Sequence, residues 1–404
     1  MPNVNSNIIY QAGTLLADVV QQATGRKVLT ANTPGEWTSV ATTALQGGVE
    51  PILNTLANMW ARTIFSVRPY SAKLRGLEMS ADRFGMMTRK LSPVAKDPGD
   101  DAAYAWPVAY DATQTPPSGD GNAVDMYAIN KKNVLQTAFY GASVYQEYFT
   151  IFKDQLDGAF RGPEEFMAFN EMNLSDRANS IETWKESLKR SILANAILSL
   201  SVENATGRVI HLLTEYNAAT GLSLTATTVM QPVNFIGFAR WMIARINTVS
   251  RLMSERSTMF QTTISGNAVV RHTPAQDLKV YMSAKIMDQM DAMALSLTYH
   301  DEYLKLADVE GVAYWQAIGT PESVTGKPTY TNTSGVVTTP NAASTVSNIV
   351  GLMFDRDALG MASILEETSI TPFNARGRYW NNFYHNKVKT RMDMTEKMVL
   401  LCLD

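Results

Sequence analysis

The sequence predicts an α+β protein, on three observations. Ile181, Trp184, Leu188, Ile192, Ala196 and Leu200 recur at steps of three and four. So do Phe235, Phe238, Met242, Ile246, Val249 and Met253, and each series predicts a long helix with one apolar stripe. Extended segments stand apart from these helices, in an aromatic run near 104–110 and in a block from Ile349 to the last residue. One buried strand, Asp277 to Met282, leads into a helix that Ser283 caps. A single such unit is not the repeated alternation that a doubly wound sheet requires.

The elements follow in chain order. Residues 1–50 are weakly patterned, with a short amphipathic helix at Ile8 to Val20 and a Thr, Gly, Asn and Ala-rich stretch after it, and they read as an arm that lies on something else. Pro51 to Phe65 is helical by spacing, and Val67 to Thr88 holds strand and turn. Lys96 to Gly121 is dense in Pro, Gly and Asp, yet carries Tyr104, Trp106 and Tyr110 at period-two spacing, the mark of a strand with one apolar face. Pro116-Pro117-Ser118-Gly119 reverses the chain, and Val124, Met126 and the residues up to Tyr140 return as an extended run. An isolated hairpin is marginal in water. Its aromatics need a surface, which belongs either to this chain or to a neighbouring copy.

Pro163 with Glu164 and Glu165 starts the first long helix, proline at the first helical position and acids at the positive end of the dipole. Pro232 opens the second. Gly319 to Asn348 has almost no large apolar residue and reads as a surface excursion, either a loop or a small β-rich protrusion. Ile349 to Asp355 re-enters the core as a strand. The run Asn374 to His385 alternates large aromatics with polar and basic residues, and a final apolar strand closes the chain.

Composition limits the function. Charged residues make up 18% of the chain, below the ~25% usual for soluble domains. A surface so poor in charge suits a subunit that buries much of its exterior against neighbours, and equally a monomer with a Ser, Thr and Asn-rich surface. The net charge of −3 argues against strong sequence-independent DNA binding. Cys402 is the single cysteine, which excludes an intrachain disulfide and a multi-cysteine zinc site and fits a reducing compartment. Met1 to Tyr10 lack a basic and an apolar signal region, and no apolar run reaches the ~20 residues a bilayer needs, so a protein made in the cytoplasm and free of membrane is expected.

Reaction chemistry finds no motif. His211, His272, His300 and His385 form no metal-ligand spacing, and His300-Asp301-Glu302 lacks a third ligand. Asp97, Asp100 and Asp101 do not match a twelve-residue calcium loop. Ser118 to Gly121 is glycine-rich without a helix to aim its amides at a phosphate. No catalytic, cofactor or metal residue is assigned, and an enzyme is not expected. Arg376, Arg378, Lys387, Lys389 and Arg391 interleave with Tyr379, Trp380, Phe383 and Tyr384, a pattern that suits a sheet with one wet, cation-lined face better than a nucleic-acid platform.

The order of these elements, and the run Asp355-Arg356-Asp357 followed by Asn374, Arg376, Gly377, Tyr379, Trp380, Asn381, Tyr384 and His385, resembles the major capsid proteins of tailed bacteriophages, with the Hong Kong 97-type fold, nearest to those of short-tailed phages (podoviruses). The resemblance implies an N-terminal arm at 1–62, an extended loop at 92–142, and a peripheral domain built from 63–91, 143–204 with its spine helix, and 365–404. It implies an axial domain at 205–364 with a surface insertion near 319–348. It further implies a virion protein, assembled in the host cytoplasm, that forms pentamers and hexamers of an icosahedral shell around weakly contacted double-stranded DNA. A portal protein, and scaffolding and decoration proteins in some relatives, would be its partners. On this reading Tyr104, Trp106, Tyr110, Met126, Arg376, Arg378, Tyr379 and Trp380 are the candidate inter-subunit contacts. An encapsulin-like compartment is the alternative with the same fold, and a soluble α/β enzyme the alternative with another.

Overall fold

The computed structural model describes residues 21, 73–79, 87–95, 127, 129, 131–155, 163–203, 207–294, 309–316 and 320–404. The expected N-terminal arm, the helix at 51–65 and the aromatic run at 104–110 lie outside the described residues.

The first ladder joins β1 (Met87–Pro93) to β2 (Val134–Tyr140), antiparallel, with Met87 opposite Tyr140 and Pro93 opposite Val134. Its outgoing strand therefore lies upstream of the segment whose aromatic spacing marked a strand. β3 (Ser143–Phe152) follows and leads to α1 (Pro163–Glu203). This helix runs for 41 residues, about 60 Å at 1.5 Å per residue. The expected stripe is in place: Ile181, Ile192, Ala196 and Leu200 are buried, with Trp184 and Leu188 half-buried beside them.

Past the first helix come β4 (Val209–His211), α2 (Leu212–Thr220), α3 (Ala226–Val229) and α4 (Pro232–Ser254). Proline opens α4, and the six apolar residues of the expected stripe are all buried. β5 (Leu278–Ser283) and α5 (Ala284–Ala294) form the strand-then-helix unit, with β6 (Val309–Val312) pairing parallel to β5. The stretch at 320–348 is a set of short strands, β7 (Val324–Gly326), β8 (Tyr330–Thr331), β9 (Val337–Thr338) and β10 (Ser344–Val346), paired β7 with β10 and β8 with β9. It is not wholly superficial. Val324 and Val346 are buried against α1, and the Asn195 side chain both donates to the Thr329 carbonyl and accepts from its amide.

β11 (Ile349–Asp355), β12 (Leu359–Ile370), β13 (Tyr379–Met392) and β14 (Met398–Cys402) complete the chain. They split between two sheets. A five-stranded mixed sheet runs β4-β14-β11-β5-β6, and a three-stranded antiparallel sheet runs β12-β13-β3. The last strand was expected with the peripheral strands. It lies instead inside the five-stranded sheet, between β4 and β11, with Val399 and Leu401 facing one core and Met398, Leu400 and Cys402 the other. A strand buried on both faces belongs in a sheet interior. One of those cores lies against α1 and holds Trp315, Leu352 and Phe354. The other lies against α2, α4 and α5 and holds Phe235, Phe238, Met242 and Met353.

Candidate assembly surfaces

The three-stranded sheet has two contrasting faces, set by strict alternation along β13. Trp380, Asn382, Tyr384, Asn386 and Val388 point inward, and Tyr379, Phe383, His385 and Lys387 point outward. The inner face packs on α1. Tyr145 stacks on Trp184 with ring centroids 4.7 Å apart. The Arg177 guanidinium lies 4.8 Å from the Tyr384 ring and 5.5 Å from Phe149, with Glu147 3.9 Å away. Burial lowers the Arg177 pKa and raises that of the Tyr384 phenol. Sheet and helix are thus fastened by cation–π contact rather than by grease alone.

The outer face is exposed and sets large apolar side chains among polar ones such as His385 and Lys387. Tyr148 is 72% exposed, and Val144, Phe152 and Leu365 are exposed beside it. The rings meet across the strands: Tyr148 to Phe383 at 6.4 Å and Phe152 edge-on to Tyr379 at 5.9 Å. Register accounts for this, since Phe383 lies opposite Tyr148 and Tyr379 opposite Phe152. Lone exposed apolar residues are ordinary, but a contiguous aromatic patch marks a contact surface.

At the end of this sheet the turn before β13 is shaped by Asn374. Its side-chain oxygen accepts from the amides of Arg376 (3.1 Å) and Gly377 (3.0 Å), and its carbonyl accepts from the amide of Arg378 (2.7 Å). Arg378 takes φ 53°, and a Cβ on Gly377 would sit 2.3 Å from the Tyr379 ring. The turn presents Arg376 and Arg378 to solvent, with Arg378 paired to Asp154 at 2.9 Å.

The sequence-derived contact residues divide accordingly. Tyr104, Trp106, Tyr110 and Met126 lie outside the described residues. Arg376 and Arg378 are exposed, and Tyr379 is half-buried on the outer face. Trp380 needs correcting: at 2% exposure, with its ring 4.6 Å from Phe373, it is spent inside its own subunit. Its even-numbered position puts it on the α1 side of the strand. Val144, Tyr148, Phe152, Leu365 and Phe383, which share this outer face, were not among the sequence-derived candidates. Val144, Tyr148 and Phe152 stand four apart, hence on one face of a strand that alternates every two residues, and this was a usable signal.

A second apolar edge is the β1–β2 ladder, where Leu91, Val134 and Met87 are exposed. The ladder is anchored by charge. The Lys90 ammonium pairs with Asp393 at 2.6 Å and with Glu396, and Lys389 donates to the Thr88 hydroxyl at 2.6 Å. Arg271 bridges Glu396 (2.9 Å) and the Ser92 hydroxyl (2.8 Å). Asp355-Arg356-Asp357 forms the turn between β11 and β12, with the Asp355 carboxylate accepting from the Thr273 hydroxyl and the Asp357 amide. Among the described residues no cluster of histidine, cysteine and acidic side chains has the geometry to hold a metal. No helix among them is long and apolar enough to cross a membrane.

Comparison with known proteins bears on the family and the fold. No curated protein matches the sequence. Among solved structures, a chain in the capsid structure of Staphylococcus phage Andhra is similar at a TM-score of 0.50 and 9% identity, with 84% of this chain and 86% of that one covered. A chain in the structure of the head fiber and inner core protein gp22 of native bacteriophage P68 is similar at 0.52 and 9% identity, covering 83% and 85%. Likeness at that identity speaks for the fold, which is Hong Kong 97-like. A family model of the Phi29-like phage major capsid protein matches residues 17–402, so the chain belongs to that family.

Proposed function

We propose that copies of this chain join head to tail into rings of five and six, which close into an icosahedral head around double-stranded DNA. The observation that carries this reading is the outer aromatic face of the β12-β13-β3 sheet, which no element of its own subunit covers among the described residues. Identical copies meeting through such unlike patches generate rings when the rotation per subunit closes. Several modest contacts per copy give avidity while letting misplaced copies dissociate. Tyr104, Trp106, Tyr110 and Met126 would add a second contact, seating the 92–142 loop on a neighbour. Arg376 and Tyr379 would border the first. The boundaries of arm, loop, peripheral domain and axial domain follow the divisions given above, except that β14 goes with the five-stranded sheet. Assembly in the host cytoplasm, with a portal and scaffolding or decoration proteins as partners and no catalytic step, completes the proposal. The net charge of −3 supports weak contact with the packaged DNA.

The test is assembly of the purified chain, read by sedimentation and negative-stain microscopy, beside Tyr148→Ala. Tyr148 is exposed, so its truncation leaves the subunit folded by circular dichroism. Shell yield should fall by about tenfold, the scale of one lost aromatic anchor. A wild-type chain that stays monomeric under every condition, or a variant that assembles as well as wild type, sinks the reading.

A further inference from the structure

Between the β1–β2 ladder and the turn after β11 lies a cleft of about 950 Å³. Its charges do not balance. Of the acids in its wall, Glu78 pairs with Lys189, Asp357 with Arg391, and Glu396 with Lys90 and Arg271. Asp355 accepts from the Thr273 hydroxyl and the Asp357 amide. Asp277 is the one carboxylate of the wall left with neither among the described residues. Against it stand four exposed cations of the same wall, Lys131, Lys132, Arg256 and Arg356, none with an ion pair or side-chain hydrogen bond among the described residues. Free cations gathered at a concave surface form a site for anionic groups.

The chain itself carries the complement. Residues 97–130 contain Asp97, Asp100, Asp101, Asp111, Asp120 and Asp125 and no lysine or arginine. This run leaves from and returns to the rim of the cleft, since Ala95 and Lys131 both line it and Val94 donates to the Asn133 carbonyl at 2.9 Å. A chain of that length, doubled back on itself, reaches ~50 Å from its base. That is ample to cross to an adjoining molecule, whereas its own cleft lies at its root.

We propose that the cleft receives the acidic 97–125 run of a second copy of this chain. The inference rests on the assembly reading above and assigns one of its contacts. Ionic contacts of this kind set which partner is accepted and in which register.

Two charge-reversed variants test it: Arg256→Glu/Arg356→Glu in the cleft and Asp100→Lys/Asp101→Lys in the run. Each alone should form shells at least about tenfold less well than wild type, because like charges then meet at the reversed positions of every junction. Mixed in equal amounts they should assemble better than either variant alone, since alternating copies restore opposite charges at every junction of a ring of six and at four of the five in a ring of five. Circular dichroism of each variant should match wild type, and the chain bearing both reversals should assemble alone. A mixture no better than either variant, as when the run seats on its own cleft, overturns the proposal. So does either variant assembling like wild type. Wild-type shells in the same buffer leave the assembly reading standing in those cases.

Discussion

Lys90 shows how much one side chain holds in this fold. Its ammonium lies between two buried carboxylates, and the two respond in opposite directions. Burial alone would raise Asp393, but the Lys90 charge and hydrogen bonds from Lys90 and Thr395 outweigh it and hold Asp393 below its ordinary value. Burial wins at Glu396 and pushes it up, despite Lys90 and Arg271. Asp393 therefore contributes stability above its unfolded pKa of ~3.9, and that contribution is lost as pH falls through the lower folded value. Glu396 contributes below its unfolded pKa of ~4.3 and loses that contribution as pH rises through the higher folded value. Replacing Lys90 with Met leaves both acids buried with less compensation. The expected cost is about 3 kcal/mol at neutral pH, and it shrinks at an acid pH below the lowered folded value of Asp393, where both acids are protonated. Urea unfolding of the unassembled subunit at the two pH values checks this, and an equal loss at both would contradict it. None of this network was legible in the sequence. Lys90 stands 303 residues from Asp393, and only the fold joins them. Trp380 failed for a related reason. Alternation divides β13 into two faces, but which face meets α1 is decided by packing.

The elements themselves were more legible where one physical signal dominated. The stripes of α1 and α4 followed from their spacing because a helix that buries one side has little freedom to present another. The segment at 320–348 did not. Its strands are two or three residues long, and the burial of Val324 and Val346 is invisible in a Thr- and Ser-rich stretch. β11 holds the subtlest element feature. Its pairing with β14 slips between Ile349 and Gly351, so that Val350 enters the α4 core together with Met353 while Leu352 and Phe354 stay on the α1 side. At this bulge β11 lies close to β5, and a Cβ on Gly351 would come within 2.7 Å of the Tyr281 carbonyl oxygen. Backbone cannot rotate away as a side-chain tip can. Gly351→Ala should therefore cost about 1–3 kcal/mol, seen as a lowered thermal midpoint of the subunit. A midpoint unchanged from wild type would mean that the two strands part without penalty.

For the whole molecule, the two proposed contact surfaces differ in kind, and that difference can be measured without any partner. The outer face of the β12-β13-β3 sheet offers aromatic area, whose burial strengthens on warming through the temperature range where apolar hydration is entropic. The cleft offers exposed cations to an acidic run, an attraction screened as the Debye length falls from ~10 Å at 0.1 M salt to ~3 Å at 1 M. Assembly of the wild-type chain should respond to both. Its threshold concentration should fall on warming from ~10 to ~30 °C, and should rise by about tenfold between ~0.1 and ~1 M sodium chloride. Arg256→Gln/Arg356→Gln removes the ionic part while leaving the sheet face intact. That variant should begin at the higher threshold, keep the temperature response and lose most of the salt response. If its salt dependence instead matches wild type, the cations of the cleft do not take part in joining copies, and the sensitivity arises from charges elsewhere on the surface.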